Sequence, residues 1–308
     1  MATQALQRLQ LVPPDSISDP ERRFLLSSAL LGAIRLDGRG LNEPRPCSLS
    51  VSTVARSRSL ARCSLGDATK VACLVSAELV APYPDRPNEG SIVIQTDYMH
   101  SAGPSPSSTF DLQLVERAIL RAIDVESLCV VPGSRVWAVK CQLVVEDDCG
   151  AVLDACSIAA CAALLHFRRP EVTVLGEEVT VHSIEERVPV PLSVHYIPLC
   201  ISFALLDVQA IVESEVEAAK SDDKQERNAA SNSNVVALVD PTDREEDVAQ
   251  GGHFQVILNA HREVCGMVEG GPLLPRSTFR SLIEVAASIR QERGLVLDDA
   301  VRNSPFLA

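Results

Sequence analysis

The spacing of apolar and polar residues divides the chain into strands, helices and polar connections. Alternation or short apolar runs predict strands at 47–54, 60–65, 71–80, 91–96, 127–131, 135–146, 172–175, 178–182, 193–206, 235–239, 254–259 and 263–269. Apolar residues at helical spacing predict helices at 19–34, 110–123, 155–167 and 276–293. Strands and a helix are followed by further strands and a helix, which indicates an α/β protein with two similar halves.

The pattern around residues 146–170 is the most informative. An acidic turn, 146–150, precedes a helix that is apolar almost all round. We predict that Asp154 caps this helix, because Asp is a preferred N-cap residue. Two arginines and a proline at 168–170 end it. Its small alanines predict very close packing against a sheet.

The core is predicted to be interrupted by one polar insert. An N-terminal arm, 1–18, leads into a helix that Asp19 can cap and whose first turn suits Pro20. Residues 207–234 are acidic and polar, so we expect them to be disordered. The two parts of the core are then 19–206 and 235–308.

Composition indicates a globular protein without a membrane span. Of the 308 residues 46% are hydrophobic, and no run of 18 apolar residues occurs. No secretory leader is expected at the start. The ten cysteines form no C-x-x-C pair, and most lie in apolar runs. Buried free thiols in a reducing compartment are therefore predicted, with disulfides or a zinc site as alternatives.

The net charge of -13 argues at first against nucleic-acid binding, but its distribution weakens that argument. Residues 207–250 hold twelve acidic and only four basic residues, so most of the excess lies there. Of the 28 basic residues 24 are Arg, whose planar fork suits phosphate better than Lys does. Motifs of zinc hydrolases and of P-loop or Rossmann nucleotide binding do not occur. No cofactor is expected.

An ordered set of motifs resembles the RNase PH family of phosphate-dependent ribonucleases. The set comprises R-L-D-G-R-G at 35–40, P-Y-P-D-R-P-N-E-G at 82–90, D-V-E-S-L-C-V-V-P-G-S at 124–134, W-A-V at 137–139 and G-G-P-L-L-P at 270–275. The first motif alone is weakly specific, but the whole set extends over about 15–206 and 235–293. The resemblance implies the RNase PH fold, an α/β (α+β) architecture of two similar βα halves with mixed sheets.

Two elements that carry catalysis in this family differ in the chain. In active members a Thr-Arg-Thr or Ser-Arg element at the turn-to-helix junction holds phosphate, and its counterpart is Ala-Val-Leu-Asp at 151–154. The family's general acid or metal-binding Asp corresponds to Tyr196, or to His195 if the register slips by one. Neither offers the carboxylate that Mg²⁺ prefers. The resemblance therefore implies a non-catalytic member without a metal site, and an active phosphorolytic 3′–5′ exoribonuclease is the alternative.

The resemblance is to the inactive class of ring subunits in the RNA exosome, and it implies partners. These are an RNase PH-like subunit that pairs through strand edges, a hexameric ring of three such dimers, cap proteins with RNA-binding folds and a separate processive 3′–5′ nuclease. Single-stranded RNA would be threaded through the ring for rRNA processing and RNA decay. The implied location is the nucleus, nucleolus and cytoplasm, away from any membrane.

The predicted RNA-contacting residues lie on a helix and on a loop. Gln113, Arg117 and Arg121 recur at four-residue spacing, opposite the apolar stripe of helix 110–123. The family places RNA-gripping arginines on this helix, so Arg117 and Arg121 are predicted to bind backbone phosphates. The alternative is ordinary solvated arginines, with Arg121 paired to Asp124, in a scaffold without RNA contact.

Arg86 and two further groups of charged residues lie outside this helix, and more than one role is open for them. Arg86 lies on the rigid Pro-rich loop 82–90, where RNA contact and a salt bridge are both open. An Asp37–Arg39 pair is expected to tie the N-terminal arm to the core, with a position near RNA as the alternative. The basic residues Arg58, Arg62 and Lys70 are expected to be solvated, with RNA binding as the alternative.

Overall fold

The computed structural model describes residues 18–28, 35–54, 58–99, 108–175, 178–183, 186–207, 235–249 and 252–304. The helices are α1 (Asp19–Ser27), α2 (Ser108–Ala122), α3 (Val152–His166), α4 (Asp243–Ala249) and α5 (Arg276–Asn303). The strands are β1 (Cys47–Val54), β2 (Arg58–Leu65), β3 (Thr69–Val80), β4 (Ser91–Tyr98), β5 (Cys129–Val131), β6 (Arg135–Asp147), β7 (Arg168–Arg169), β8 (Val172–Leu175), β9 (Glu178–Val181), β10 (Val190–Pro191), β11 (Leu199–Asp207), β12 (Val235–Val239), β13 (His253–Leu258) and β14 (Val264–Gly270).

Two main sheets confirm the predicted α/β architecture. The first has the order β1-β2-β3-β6-β4, and β5 pairs with β6. It is mixed, because β4 runs parallel to β6 while β1, β2, β3 and β6 pair antiparallel. The second sheet has the order β12-β11-β13-β14, and all its pairs are antiparallel, so the mixed sheet predicted for this half was wrong. Two small sheets pair β7 with β10 and β8 with β9.

Helix α3 is the centre of the core. It packs on β2 and β3 of the first sheet and on β11 of the second. Its alanines at 155, 159, 160, 162 and 163 have no exposed surface, so the helix approaches both sheets closely. This confirms the close packing predicted from its small residues. A helix that is apolar all round is stable only when it is buried on every side.

Both predicted helix caps were wrong. Helix α3 begins at Val152 after Ala151, whose φ of 52° is left-handed, and Asp154 lies inside the first turn. Helix α1 is capped by Ser18, whose backbone N–H donates to Glu21 Oε2 at 3.1 Å in a capping box. Asp154 has buried partners inside the protein, and Ser18, which is also a preferred cap residue, directly precedes Asp19.

Two element boundaries differ by several residues from the pattern-based expectation, and one helix was not predicted. Helix α5 continues to Asn303, ten residues beyond the predicted end. Strand β11 begins at Leu199 rather than 193, because the preceding segment bonds to the end of α2 instead of the sheet. Helix α4 was not predicted, because it has no apolar stripe. Only Glu245 and Val248 of its seven residues are buried.

Several sequence expectations lie outside the described residues. These are the arm up to residue 17, the end of the first predicted helix at 29–34 and the predicted insert from residue 208 to 234. Within the described ranges, no helix combines the length and the apolar character that a membrane crossing needs.

All ten cysteines are free thiols, as predicted. Six are buried, namely Cys63, Cys73, Cys141, Cys156, Cys161 and Cys200, and four are half-buried. Burial raises the pKa of Cys161 to about 12, so its thiol stays protonated and behaves as a small apolar group.

Candidate functional site

The junction before α3 is closed by its own backbone and side chains. Gly150 has φ +87°, and an added Cβ would lie 2.4 Å from the Pro241 carbonyl oxygen. Only glycine fits at this close approach. The four residues that follow are buried, with exposed fractions of 2% for Ala151, 6% for Val152, 5% for Leu153 and 0% for Asp154. The junction therefore presents no charged side chain to solvent.

The one charged group at the junction, Asp154, is bonded inside the protein. Its Oδ1 accepts from Ser202 Oγ at 2.7 Å, and its Oδ2 accepts from Arg293 Nη1 at 2.6 Å. Burial raises the pKa of the Asp154 carboxyl, and the positive charge of Arg293 opposes that shift. The side chain is thus an internal acceptor that joins α3 to β11 and α5.

A second carboxylate, Asp240, extends this arrangement. Arg45 Nη2 lies 2.6 Å from Asp240 Oδ1, and Arg293 Nη2 lies 3.5 Å from Asp240 Oδ2. Arg45 also donates to the carbonyl oxygen of Gly150 at 3.0 Å. We call Arg45, Asp154, Asp240 and Arg293 the buried charge network. It connects the segment before β1 with the α3 junction, the residue after β12 and the middle of α5.

Two more arginines lie beside the buried charge network, and each forms ion pairs with carboxylates of the chain. Arg39 Nε lies 2.5 Å from Asp37 Oδ2, which is the expected Asp37–Arg39 pair, and Arg39 Nη1 lies 3.6 Å from Asp240 Oδ2. Arg35 forms a buried ion pair with Glu245 of α4. Each arginine near the junction therefore has a carboxylate of the same chain as its counter-ion.

Helix α2 carries the predicted ridge of exposed residues. Gln113, Arg117 and Arg121 are exposed, and the opposite apolar stripe is buried. Arg117 Nε donates to the Gln113 carbonyl oxygen at 3.2 Å. Asp124 Oδ1 instead accepts from the backbone amides of Glu126 and Ser127, and among the described residues it makes no ion pair with Arg121. Both guanidinium groups remain accessible to an anion.

The segment that precedes β11 lies against the end of α2. The His195 amide donates to the Ala122 carbonyl oxygen at 2.8 Å, and the imidazole is exposed. Burial raises the pKa of the half-buried Tyr196 phenol, and nearby Arg121 opposes the shift. Neither side chain is a carboxylate. Within the described ranges no group of three His, Cys, Asp or Glu side chains could hold a metal ion.

The other predicted basic residues make ion pairs at the surface. Arg86 Nη1 lies 3.3 Å from Glu89 Oε2, and the Arg86 side chain is 72% exposed. Lys70 and Arg62 line a surface cleft of about 240 Å³, where Lys70 pairs with Asp147 at 3.2 Å. Such exposed pairs contribute at most about 1 kcal/mol each, so Lys70 and Arg62 match the solvated role expected of them.

Comparison with known proteins shows the family to which the chain belongs. Residues 43–170 match the 3′ exoribonuclease family, domain 1 (RNase PH). The exosome complex component rrp45 of Schizosaccharomyces pombe is 33% identical over 91% of this chain and 91% of its own length. That of Saccharomyces cerevisiae is 33% identical over 83% of this chain and 81% of its own length. The chain belongs to the RRP45 family of exosome complex components.

This RRP45 family member also resembles solved archaeal structures. An exosome of Archaeoglobus fulgidus with RNA bound to the active site has a TM-score of 0.66 and 26% identity, covering 88% of this chain and 97% of that one. An archaeal exosome core has a TM-score of 0.61 and 25% identity, covering 89% and 96%. Human RRP45 is 37% identical over 84% of this chain but only 54% of its own length, so the chain spans about half of that relative.

Sequence analysis missed the buried charge network of this RRP45 family member. Its four residues are separated by up to 248 positions, so no local spacing connects them. A weak signal exists, because Asp240 directly follows a strand with a buried end, and Arg293 lies at helical spacing between the apolar Ile289 and Leu297 of α5. Charged residues at such positions are rarely buried unless they are paired, which could have indicated internal partners.

Proposed function

We propose that the chain is a non-catalytic subunit of the RNA exosome ring, which scaffolds the hexamer and contacts single-stranded RNA. The observation that carries this proposal is the closed α3 junction. Its residues 151–154 are buried, and its carboxylate is held by Ser202 and Arg293. No cation there faces outward to receive inorganic phosphate, and Tyr196 offers no carboxylate for Mg²⁺.

The RNA contact is assigned to the exposed ridge of α2, with Arg86 as a further contact. Arg117 and Arg121 lie one turn apart on the same face, and like charges at this spacing repel each other modestly. A phosphate between or beside them removes that repulsion and adds charge-assisted hydrogen bonds. The overall acidity does not oppose this, because a local basic ridge is sufficient to attract a phosphate backbone.

The relatives, which are exosome complex components, support assembly with other RNase PH-like subunits. We assign an RNase PH-like neighbour in a dimer, two further dimers in the ring, cap proteins with RNA-binding folds and a processive 3′–5′ nuclease. Strands β1 and β4 end the first sheet, and β12 and β14 end the second, so unpaired backbone groups are present for pairing with a neighbour. The proposed locations are the nucleus, nucleolus and cytoplasm.

The test is an assay of phosphate-dependent release of nucleoside diphosphates from poly(A). The chain is purified with its RNase PH-like partner, whose own active site is disabled, and Mg²⁺ is supplied. We expect no release above background. Release that persists in this complex would mean that Tyr196 and Leu153 do not prevent catalysis and would establish a phosphorolytic enzyme.

A further inference from the structure

Arg290 of α5 is a nearly buried cation without a carboxylate partner. Its exposed fraction is 9%, and its Nε makes no hydrogen bond. Its Nη2 donates to the Ile197 carbonyl oxygen at 3.2 Å. Among the described residues no carboxylate lies within ion-pair distance, although Asp298 two turns later acts on it from farther away. A buried charge is costly unless it is paired.

The neighbouring Arg293 is a charge-paired arginine in the same helix. Arg293 is also buried, at 3% exposed, and it lies within ion-pair distance of both Asp154 and Asp240, although its Nε makes no hydrogen bond either. The two arginines are three residues apart, so they lie on adjacent parts of the same helix face. Among the described residues, only Arg293 of the two has carboxylate counter-ions. The difference indicates that the counter-ion of Arg290 comes from outside the described part of the chain.

The surroundings of Arg290 include a second cation and a hydroxyl. Ile197, whose carbonyl oxygen accepts from Arg290, directly follows Tyr196. The positive charge of Arg121 acts to lower the pKa of the Tyr196 phenol, against the raising effect of burial. The segment 195–197 joins the two helices, because the His195 amide donates to the Ala122 carbonyl oxygen at 2.8 Å, next to Arg121, and Arg290 donates to the Ile197 carbonyl oxygen. Arg121 and Arg290 therefore lie at the two ends of one short segment that contains Tyr196.

We propose that Arg290 binds a phosphate group of single-stranded RNA, with Arg121 and Tyr196 at the edge of the same site. This inference rests on the proposed RNA contact of α2 and extends it by one residue on a different helix. The ligand is a backbone phosphodiester rather than inorganic phosphate, since the ridge leading to the site is already assigned to RNA. The site holds RNA and performs no chemistry.

Gly294 leaves the space that the Arg290 guanidinium occupies. A Cβ at position 294 would lie 2.9 Å from Arg290 Nη1, so Gly294→Ala would displace the guanidinium without removing its charge. Alanine also favours the helix over glycine. Gly294→Ala should therefore weaken RNA binding while the fold becomes no less stable, which separates a binding role from a purely structural one.

The experiment measures fluorescence anisotropy of labelled oligo(A) on the full chain in complex with its RNase PH-like partner. Arg290→Met removes the charge and leaves an unbranched apolar side chain. The control is Arg280→Met, on the exposed side of the same helix. A lost phosphate contact on a single strand lowers the slope of log affinity against log salt by about 0.7. We expect that change, with about tenfold weaker binding, for Arg290→Met but not for Arg280→Met.

The outcomes separate this inference from the proposed function. If Arg117→Ala/Arg121→Ala lowers the salt slope and both Arg290→Met and Gly294→Ala leave it unchanged, the Arg290 site is wrong and the RNA contact of α2 stands. If the complex with unaltered sequence does not bind oligo(A), the proposed RNA contact itself fails. If Arg290→Met releases the partner subunit but RNA affinity persists at saturating partner, the counter-ion is a partner carboxylate and the RNA assignment is overturned.

Discussion

Arg293 of α5 reaches the first turn of α3, and its Nη1 lies 2.6 Å from Asp154 Oδ2. Both side chains are buried, at 3% and 0% exposed. The pair therefore connects the final helix directly to the central one. The pair also holds Asp154 in place. Asp154 belongs to the segment 151–154, the counterpart of the phosphate-holding element in active members of the family.

The first prediction concerns this pair. Arg293→Met should lower the free energy of unfolding by about 3–5 kcal/mol, because it leaves Asp154 buried without its cation. Asp154→Leu/Arg293→Met should recover most of that loss, since replacing both buried partners with apolar groups is often nearly neutral. Urea unfolding measures both. A double variant as unstable as the single one would show that the pair has a role beyond mutual neutralisation.

The second prediction is a pH dependence at Asp240. Burial raises the pKa of its carboxyl, but hydrogen bonds from Arg45 and the charges of Arg45 and Arg293 outweigh burial and hold the pKa below its ordinary value. A carboxyl with a lowered pKa stabilises the fold fully above its ordinary pKa of about 4, and the stabilisation is lost as pH falls below it.

Asp240→Asn tests this dependence and keeps the shape of the side chain. Asn tolerates the left-handed φ of 48° at this position. The variant should be about 3–5 kcal/mol less stable at pH 5–8, and its difference from the unaltered chain should shrink below pH 4. Urea unfolding from pH 3 to pH 8 measures it. A difference that stays constant down to pH 3 would rule out ionised Asp240 as the source.

The third prediction concerns the ridge of α2. Arg117→Ala/Arg121→Ala should reduce crosslinking to threaded RNA and lower the salt slope of oligo(A) binding by about 1.4, for two lost phosphate contacts. The matched control is Arg276→Ala/Arg280→Ala, a pair of exposed arginines at the same four-residue spacing on α5. Equal crosslinking of the α2 variant and the unaltered chain would leave a scaffold without an RNA grip there.

The fourth prediction separates the two possible roles of Arg86. Its ion pair with Glu89 is exposed, so Glu89→Gln and Arg86→Ala should each change stability by less than about 1 kcal/mol. If Arg86 contacts RNA, Arg86→Ala weakens oligo(A) binding, while Glu89→Gln, which frees the arginine, does not. Identical binding by both variants would assign Arg86 to the salt bridge alone.

The fifth prediction tests the closed junction. Gly150→Ala should lower the free energy of unfolding by about 2–5 kcal/mol, because it combines a left-handed φ with backbone atoms of 241–243 within 2.6 Å of the new Cβ. Gly133→Ala is the control, with φ +73° and nothing within 4 Å. It should lower stability by only about 1–2 kcal/mol. Thermal unfolding compares them, and equal losses would mean that the junction is not tightly packed.

Local patterns were sufficient for most of the fold. The predicted strand 135–146 corresponds to β6 at Arg135–Asp147, because alternation over thirteen residues requires one buried face. The ridge of α2 was also predictable, since helical spacing alone decides that Arg117 and Arg121 share a face. Asp154 was misplaced for the opposite reason. Its partners, Ser202 and Arg293, are distant in sequence, and a propensity for caps cannot report them.

The sequence by itself determined the α/β architecture, the central apolar helix, the family and the exposed position of the α2 arginines. These properties follow from side-chain periodicity and from motifs that are contiguous along the chain. Only the tertiary structure decided that Asp154 is an internal ion-pair partner, that Arg45 and Asp240 close the network, and that Arg290 has no carboxylate counter-ion among the described residues. Those facts depend on which distant segments approach within a few ångströms, and the balance of burial and pairing there is set by the packed fold.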